Sequence, residues 1–245
     1  AIHNLLRCVE KSGLKVAGLI LMSLAAGQLT LSKDEKMLGT VLVDIGAGAT
    51  TIAVFEQGNL VATSTLPIGG EFITNDISIG LRTQMDVAEK IKMKYGCAVI
   101  ADAAEDQVFK VPRIGSNLDK QFTQLDLAHI IEPRVQEIFQ YIRSEVQRLG
   151  YNDVAGGYVL TGGTVSMPGV LTIAQNELNA PVRIATPDFI GVRDPSFASG
   201  VGIISYVSKF NRNRGMSYTK NNATKTAGSK NHFFERLKDW FKEFI

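Results

Sequence analysis

Hydrophobic positions along the chain change their period several times, and each change marks an element. Residues 40–45 (TVLVDI), 50–55 (TTIAVF) and 60–66 (LVATSTL) are β-branched apolar runs, separated by a glycine loop and by the turn Glu56-Gln57-Gly58-Asn59. They predict three consecutive strands folded as a meander. Residues 85–95 (MDVAEKIKMKY) switch to helical spacing and close on Gly96. The longest helical pattern occupies 126–149, with Leu127, Ile131, Val135, Ile138, Ile142 and Val146 on one face before Gly150, and Pro133 is expected to kink or split it. Residues 3–12 carry Leu5, Leu6 and Val9 on one helical face and stop at Gly13, and the apolar stretch 16–24 reads as a strand or buried segment. A short buried strand at 158–161 runs into Gly162-Gly163, and residues 168–178 restart a helix. No internal repeat of fixed period is present.

Of the 245 residues, 45% are hydrophobic and only 20% charged, with 23 glycines, which excludes disorder as the main state and fits a packed α/β protein. Cys8 and Cys97 stand alone, without metal-ligand or disulfide-framework spacing, which fits a reducing cytoplasm. His3, His129 and His232 share no ligand spacing, and no Ser/His/Asp order accompanies a glycine elbow, so neither a zinc site nor a hydrolase triad is expected. No run of about 18 apolar residues exists. The chain does not open on Met, which fits a fragment of a longer protein.

Charge is unevenly placed. Residues 209–245 hold nine Lys/Arg against three Asp/Glu, which leaves 17 basic and 21 acidic residues in 1–208. The body is therefore slightly acidic and the tail basic, an arrangement that reaches anionic surfaces. Residues 209–230 have the composition of a flexible linker, so the folded body is expected to end near Ser208. Beyond it, residues 231–245 form an amphipathic pattern in which Phe233, Phe234, Leu237, Trp240, Phe241 and Phe244 make one apolar stripe and the intervening residues are all charged. A helix there would be about 22 Å long, too short and too charged to span a bilayer, and suited to lie in an anionic membrane interface. A groove on a partner protein, or the body itself, are the alternative seats for it.

The candidate chemistry lies in the glycine turns. Asp44-Ile45-Gly46-Ala47-Gly48-Ala49-Thr50 places a carboxylate at a strand end before small residues, so that backbone N–H groups meet a phosphate without an intervening Cβ and an acid stands beside them for hydrated Mg²⁺. Taken singly, the pattern also describes an ordinary glycine hairpin. A second glycine turn, Leu160-Thr161-Gly162-Gly163-Thr164-Val165-Ser166-Met167, and a small-residue helix, Asp194-Pro195-Ser196-Phe197-Ala198-Ser199-Gly200, follow it.

In this order the three turns resemble the second half of the actin-like ATPase superfamily: its second phosphate loop, its adenosine loop and its second connecting helix. The stretches Pro67-Ile68-Gly69-Gly70, Ile73-Thr74-Asn75-Asp76-Ile77, Ala88-Glu89-Lys90-Ile91-Lys92 and Ile131-Glu132-Pro133-Arg134 look like the FtsA family of bacterial cell-division proteins. The resemblance implies an α/β, ribonuclease H-like actin fold. It places the end of subdomain 1A at 1–38, the first part of 2A with the phosphate loop at 39–71, 2B at 72–155, the return to 2A at 156–208, and a membrane-targeting helix at the C-terminus. It implies ATP and Mg²⁺ as ligands, with Asp44 on the metal side, Gly46, Ala47, Gly48 and Thr50 at the phosphates, Glu89 and Lys92 near ribose and adenine, and Gly162, Gly163 and Ser166 in the adenosine loop. Ala47 stands where glycine is usual and Ala49 where a hydroxyl residue is frequent, and no water-orienting side chain precedes the loop, so the nucleotide is expected to serve polymerisation more than fast hydrolysis. The implied partners are the C-terminal peptide of the tubulin-like protein FtsZ, met by Arg113, Asn117 and Lys120, further copies of the chain in a filament, an anionic membrane surface and later division proteins, with no nucleic acid. The implied location is the cytoplasmic membrane face at the septum. An enzyme or a pilus-assembly ATPase on the same fold is the alternative.

Overall fold

The computed structural model of the chain describes residues 2–115, 118–187 and 192–213. Ala1–Ser208 form one compact unit. Helices α1 (Ile2–Lys11), α2 (Met22–Thr30) and α3 (Lys33–Leu38) precede strands β1 (Thr40–Ile45), β2 (Thr50–Glu56) and β3 (Asn59–Leu66). Helices α4 (Gly70–Leu81) and α5 (Met85–Tyr95), the hairpin β4 (Val108–Val111) and β5 (Lys120–Thr123), and the long α6 (Gln124–Arg148) follow. The chain then returns through β6 (Tyr158–Thr161), α7 (Val170–Leu178) and β7 (Val182–Ile184) to α8 (Ala198–Asn213).

The main sheet has the order β3-β2-β1-β6-β7, antiparallel across the β1–β3 meander and parallel from β1 to β6 to β7. Because side chains alternate along a strand, β1 sends Val41, Val43 and Ile45 into the larger core under α4, α5, α6 and α7, and Leu42 into a second core with Ala26, Leu31, Ala53 and Phe55. The middle of the sheet is thus covered on both faces, and β1, β2 and β6 are nearly continuously buried, while edge strand β3 alternates between exposed and half-buried positions.

Two sequence expectations are corrected. Residues 14–21 take no regular structure and Leu14, Leu19 and Leu21 are half to two-thirds exposed, while the buried part of the 16–24 stretch belongs to helix α2. Ala25 and Ala26 favour the helix, and Ser23, Ala26 and Thr30, at helical spacing, bury its face on the sheet. Helix α6 continues through Pro133 as one element, so the chain is not split there. Pro133 and His129 are both exposed, so the carbonyl that the missing N–H abandons faces water, while Ile131, Val135, Ile138 and Phe139 hold the buried side in place. Arg134 further clasps α6 to α4 through Asp76 at 2.5 Å.

Helix α3 begins with a reciprocal capping box between Ser32 and Glu35. The Glu35 carboxylate also accepts two bonds from Arg183 of β7, at 2.7 and 2.8 Å, and these, followed by the Ser32 contacts, hold its pKa down at about 2 against burial. The folded pKa lies below the ordinary 4.5, so the stability this group contributes is complete above pH 4.5 and is lost as pH falls towards 2. Glu35→Gln should lower the melting temperature by about 2–4 °C at pH 7, solvent at half-exposed Arg183 limiting the loss. Thermal melts from pH 7 to pH 2 should show that gap closing below pH 4.5.

Candidate nucleotide site

A cavity of about 410 Å³ opens where the glycine turns meet α5, within the usual range for small-molecule sites. Its walls are Gly46 and Ala47 after β1, Gly70 at the start of α4, Glu89, Lys92, Met93 and Gly96 from α5, Gly163, Thr164, Ser166, Met167 and Pro168 after β6, and Asp194 and Ser196 before α8.

The loop after β1 is held from behind. The carbonyls of Gly46 and Ala47 accept from the amides of Gly70 and Glu71, each at 2.9 Å, and the Gly46 carbonyl also accepts from the Thr164 hydroxyl at 3.2 Å. In a trans peptide the N–H points opposite to the C=O. With these carbonyls turned towards the first turn of α4, the N–H groups of Ala47 and Gly48 point away from it, as an anion-binding turn requires. Gly70 sits so close to this junction that a Cβ there would lie 2.7 Å from Thr164 Oγ1 and 3.5 Å from Lys92 Nζ.

On the α5 side, the Lys92 ammonium donates to the Gly70 carbonyl at 3.0 Å and the Thr74 hydroxyl at 2.8 Å, and pairs with Glu89 at 2.7 Å. Thr74 in turn donates to Glu89. Burial pushes the Glu89 carboxyl up, and the bonds from Lys92 and Thr74 outweigh it, leaving a pKa below the ordinary value. Lys92 is thus a nearly buried cation anchored at the cavity wall, with its side chain 11% exposed. Met93, Met167 and Pro168 supply apolar wall opposite the polar turns.

Of the residues singled out in the sequence, Gly46, Ala47, Glu89, Lys92, Gly163 and Ser166 converge on this cavity. Asp44, Gly48, Thr50 and Gly162 lie outside its walls. Thr50 is fully buried and donates to the Ile68 carbonyl at 2.7 Å, which closes the base of the hairpin. Asp44 projects from the other face of β1, where it accepts from the Ser199 hydroxyl at 2.7 Å. Gly48 is at the exposed tip of the loop, and Gly162 crosses behind the end of β1 with φ +96°. Gly70 and Thr164, which stand in the quoted turns without an expected site role, also line the cavity, and Thr74 supports it from behind through Lys92. Arg113 follows β4, Lys120 opens β5 with its ammonium 4.9 Å from the Phe122 ring, and Asn117 lies outside the described residues, as do Phe233, Phe234, Leu237, Trp240, Phe241 and Phe244. Among the described residues no helix is long and apolar enough to cross a membrane, and no cluster of three metal-ligating side chains occurs.

The fold matches the crystal structure of MreB5 of Spiroplasma citri bound to ADP with a TM-score of 0.70 at 16% identity, over 88% of this chain and 67% of that one. The architecture is that of the actin-like ATPases. At the level of sequence, the model of the family "Cell division protein FtsA" matches residues 41–202, and the chain belongs to that family. It is 50% identical over 214 residues to the cell division protein FtsA of Bacillus subtilis (strain 168), covering 87% of this chain and 49% of the relative. It is 38% identical over 247 residues to that of Pseudomonas aeruginosa, covering 98% of this chain and 59% of the relative. The chain spans about half the length of these relatives.

Proposed function

We propose that this chain contributes the second-lobe half of an adenine-nucleotide site in an actin-like cell-division protein that polymerises on the cytoplasmic membrane face at the septum. The observation that carries the reading is the cavity itself, where two glycine turns and the anchored Lys92 converge beside an apolar wall. The residues fit a nucleotide: the amides of Ala47 and Gly48 suit phosphate oxygens, Gly163 and Ser166 suit the sugar, and Met93 and Met167 suit a flat base. Asp44 faces α2 and α8 across the sheet from this cavity and is engaged by Ser199, so it does not fit the Mg²⁺ role that the family resemblance implies for it. Lys92 and Glu89 hold the first turn of α4 and thereby the phosphate loop, so their part is orientation. The ligand's role is assembly of filaments more than rapid turnover. The terminal amphipathic helix tethers these filaments, and through them the FtsZ ring, to anionic lipid, and Arg113, Asn117 and Lys120 meet the FtsZ peptide. Recruitment of later division proteins follows from that position. Membership of the cell-division family favours this reading over a pilus-assembly ATPase or a metabolic enzyme on the same fold.

Calorimetric titration with ATP and Mg²⁺ tests the site. Lys92→Ala should weaken binding at least tenfold while leaving the circular dichroism spectrum unchanged, since it frees the loop backing without removing core. Equal affinity in the two proteins would dismiss the cavity as the nucleotide site.

A further inference from the structure

On the opposite face of the sheet from the nucleotide cavity, a second and much smaller cavity of about 20 Å³ lies between α2 and the ends of β1 and β2. It is lined by Met22, Ser23, Ala26, Leu42, Asp44 and Thr51. Ser23 is 7% exposed, and its hydroxyl has no hydrogen-bond partner among the described residues. Such an orphan is rare inside a protein, because a buried hydroxyl without a partner loses its hydration for nothing. Two more polar side chains share the cavity: Asp44 and Thr51 are directly opposed in the β1–β2 ladder and project from the same face. One carboxylate oxygen of Asp44, Oδ2, is already engaged by Ser199 of α8 at 2.7 Å.

A water molecule needs about 10–15 Å³ and two to four polar partners. The cavity supplies both, and it supplies too little space for any larger ligand. We infer that Ser23, Asp44 and Thr51 bind a single water molecule, and that Ser23 is a positioning residue that holds the Asp44 carboxylate through it. Asp44 is then tied to two helices, directly to α8 by Ser199 and through water to α2 by Ser23. The carboxylate at the end of β1 is then fixed from both sides.

The test compares Ser23→Thr with Ser23→Val, two side chains of the same shape that differ by the hydroxyl, in thermal melts containing neither nucleotide nor Mg²⁺. Failure here is therefore distinct from failure of the nucleotide reading. With the water bound, the threonine variant should melt about 2–4 °C above the valine variant. In an Asp44→Ala background that difference should shrink, since the water loses its second anchor. A crystal structure that resolves ordered solvent should place a water within hydrogen-bond distance of both Ser23 Oγ and Asp44. A valine variant that melts at or above the threonine variant would overturn the inference, because removing a hydroxyl that truly lacks a partner is neutral or stabilising. So would a difference unchanged by Asp44→Ala, or a dry cavity in the crystal.

Discussion

Gly162→Ala is expected to destabilise the protein by about 3 kcal/mol, through two effects that act together. Gly162 has φ +96°, a region that an L-residue enters only under strain, and the added Cβ would fall on the Ile45 carbonyl oxygen and 2.6 Å from Asp44 Oδ1. Neither neighbour can give way: Ile45 ends the central strand, fully buried, and Asp44 is held by Ser199. The same backbone feeds Gly163 and Thr164 into the cavity wall, and Thr164 holds the Gly46 carbonyl. Denaturant titration should therefore show the midpoint falling, and any folded fraction should bind nucleotide more weakly than the parent. A midpoint unchanged by the substitution would mean that the close crossing of β6 behind β1 is absent.

If residues 231–245 form the proposed membrane tether, they carry the largest effect on lipid binding. Phe241 lies in the middle of an apolar stripe, and burying a side chain of its size contributes about 1.5–3 kcal/mol at most, so replacing it by a charge should lower affinity for anionic vesicles at least tenfold. Ending the chain at Asn213, where α8 ends, should abolish binding altogether. Trp240 is the only tryptophan in the sequence and reports directly: its emission should shift to the blue with vesicles in the parent and stay fixed with Phe241→Glu. In the proposed filament the attachment would be strengthened by many copies of residues 231–245 meeting one surface. Vesicle binding that survives loss of residues 214–245 would contradict the tether.

What the sequence disclosed, and what it concealed, follows from the range of the forces involved. Strands β1 to β3 and helix α5 were legible because their periods are local and uninterrupted. Helix α4 was not assigned, since Ile73, Thr74, Ile77 and Ile79 are β-branched and argue for a strand. Tertiary contacts decide it: Ile73, Ile77 and Leu81 enter the large core. Helix α3 is short, and its Ser32-to-Glu35 capping pattern was the available signal. In the site, the two glycine turns announced themselves, and the family resemblance added Glu89 and Lys92. Asp44 was grouped with them by proximity in sequence, yet the two-residue period of a strand sends its side chain to the α2 and α8 face. Gly70 and Thr164 stand in the quoted turns, but their roles depend on a partner, Gly46, that lies 24 and 118 positions away.

Amide-resolved NMR of the isotope-labelled chain during titration with ADP and then ATP decides whether the 410 Å³ cavity seats an adenine nucleotide. The method registers weak binding and locates it. Saturable shifts are expected at the amides of Ala47, Gly48, Gly70, Gly163 and Thr164, with α7 and the β4–β5 hairpin unmoved. Spectra that stay unchanged at millimolar nucleotide, or shifts confined to surfaces away from the two glycine turns, would contradict it.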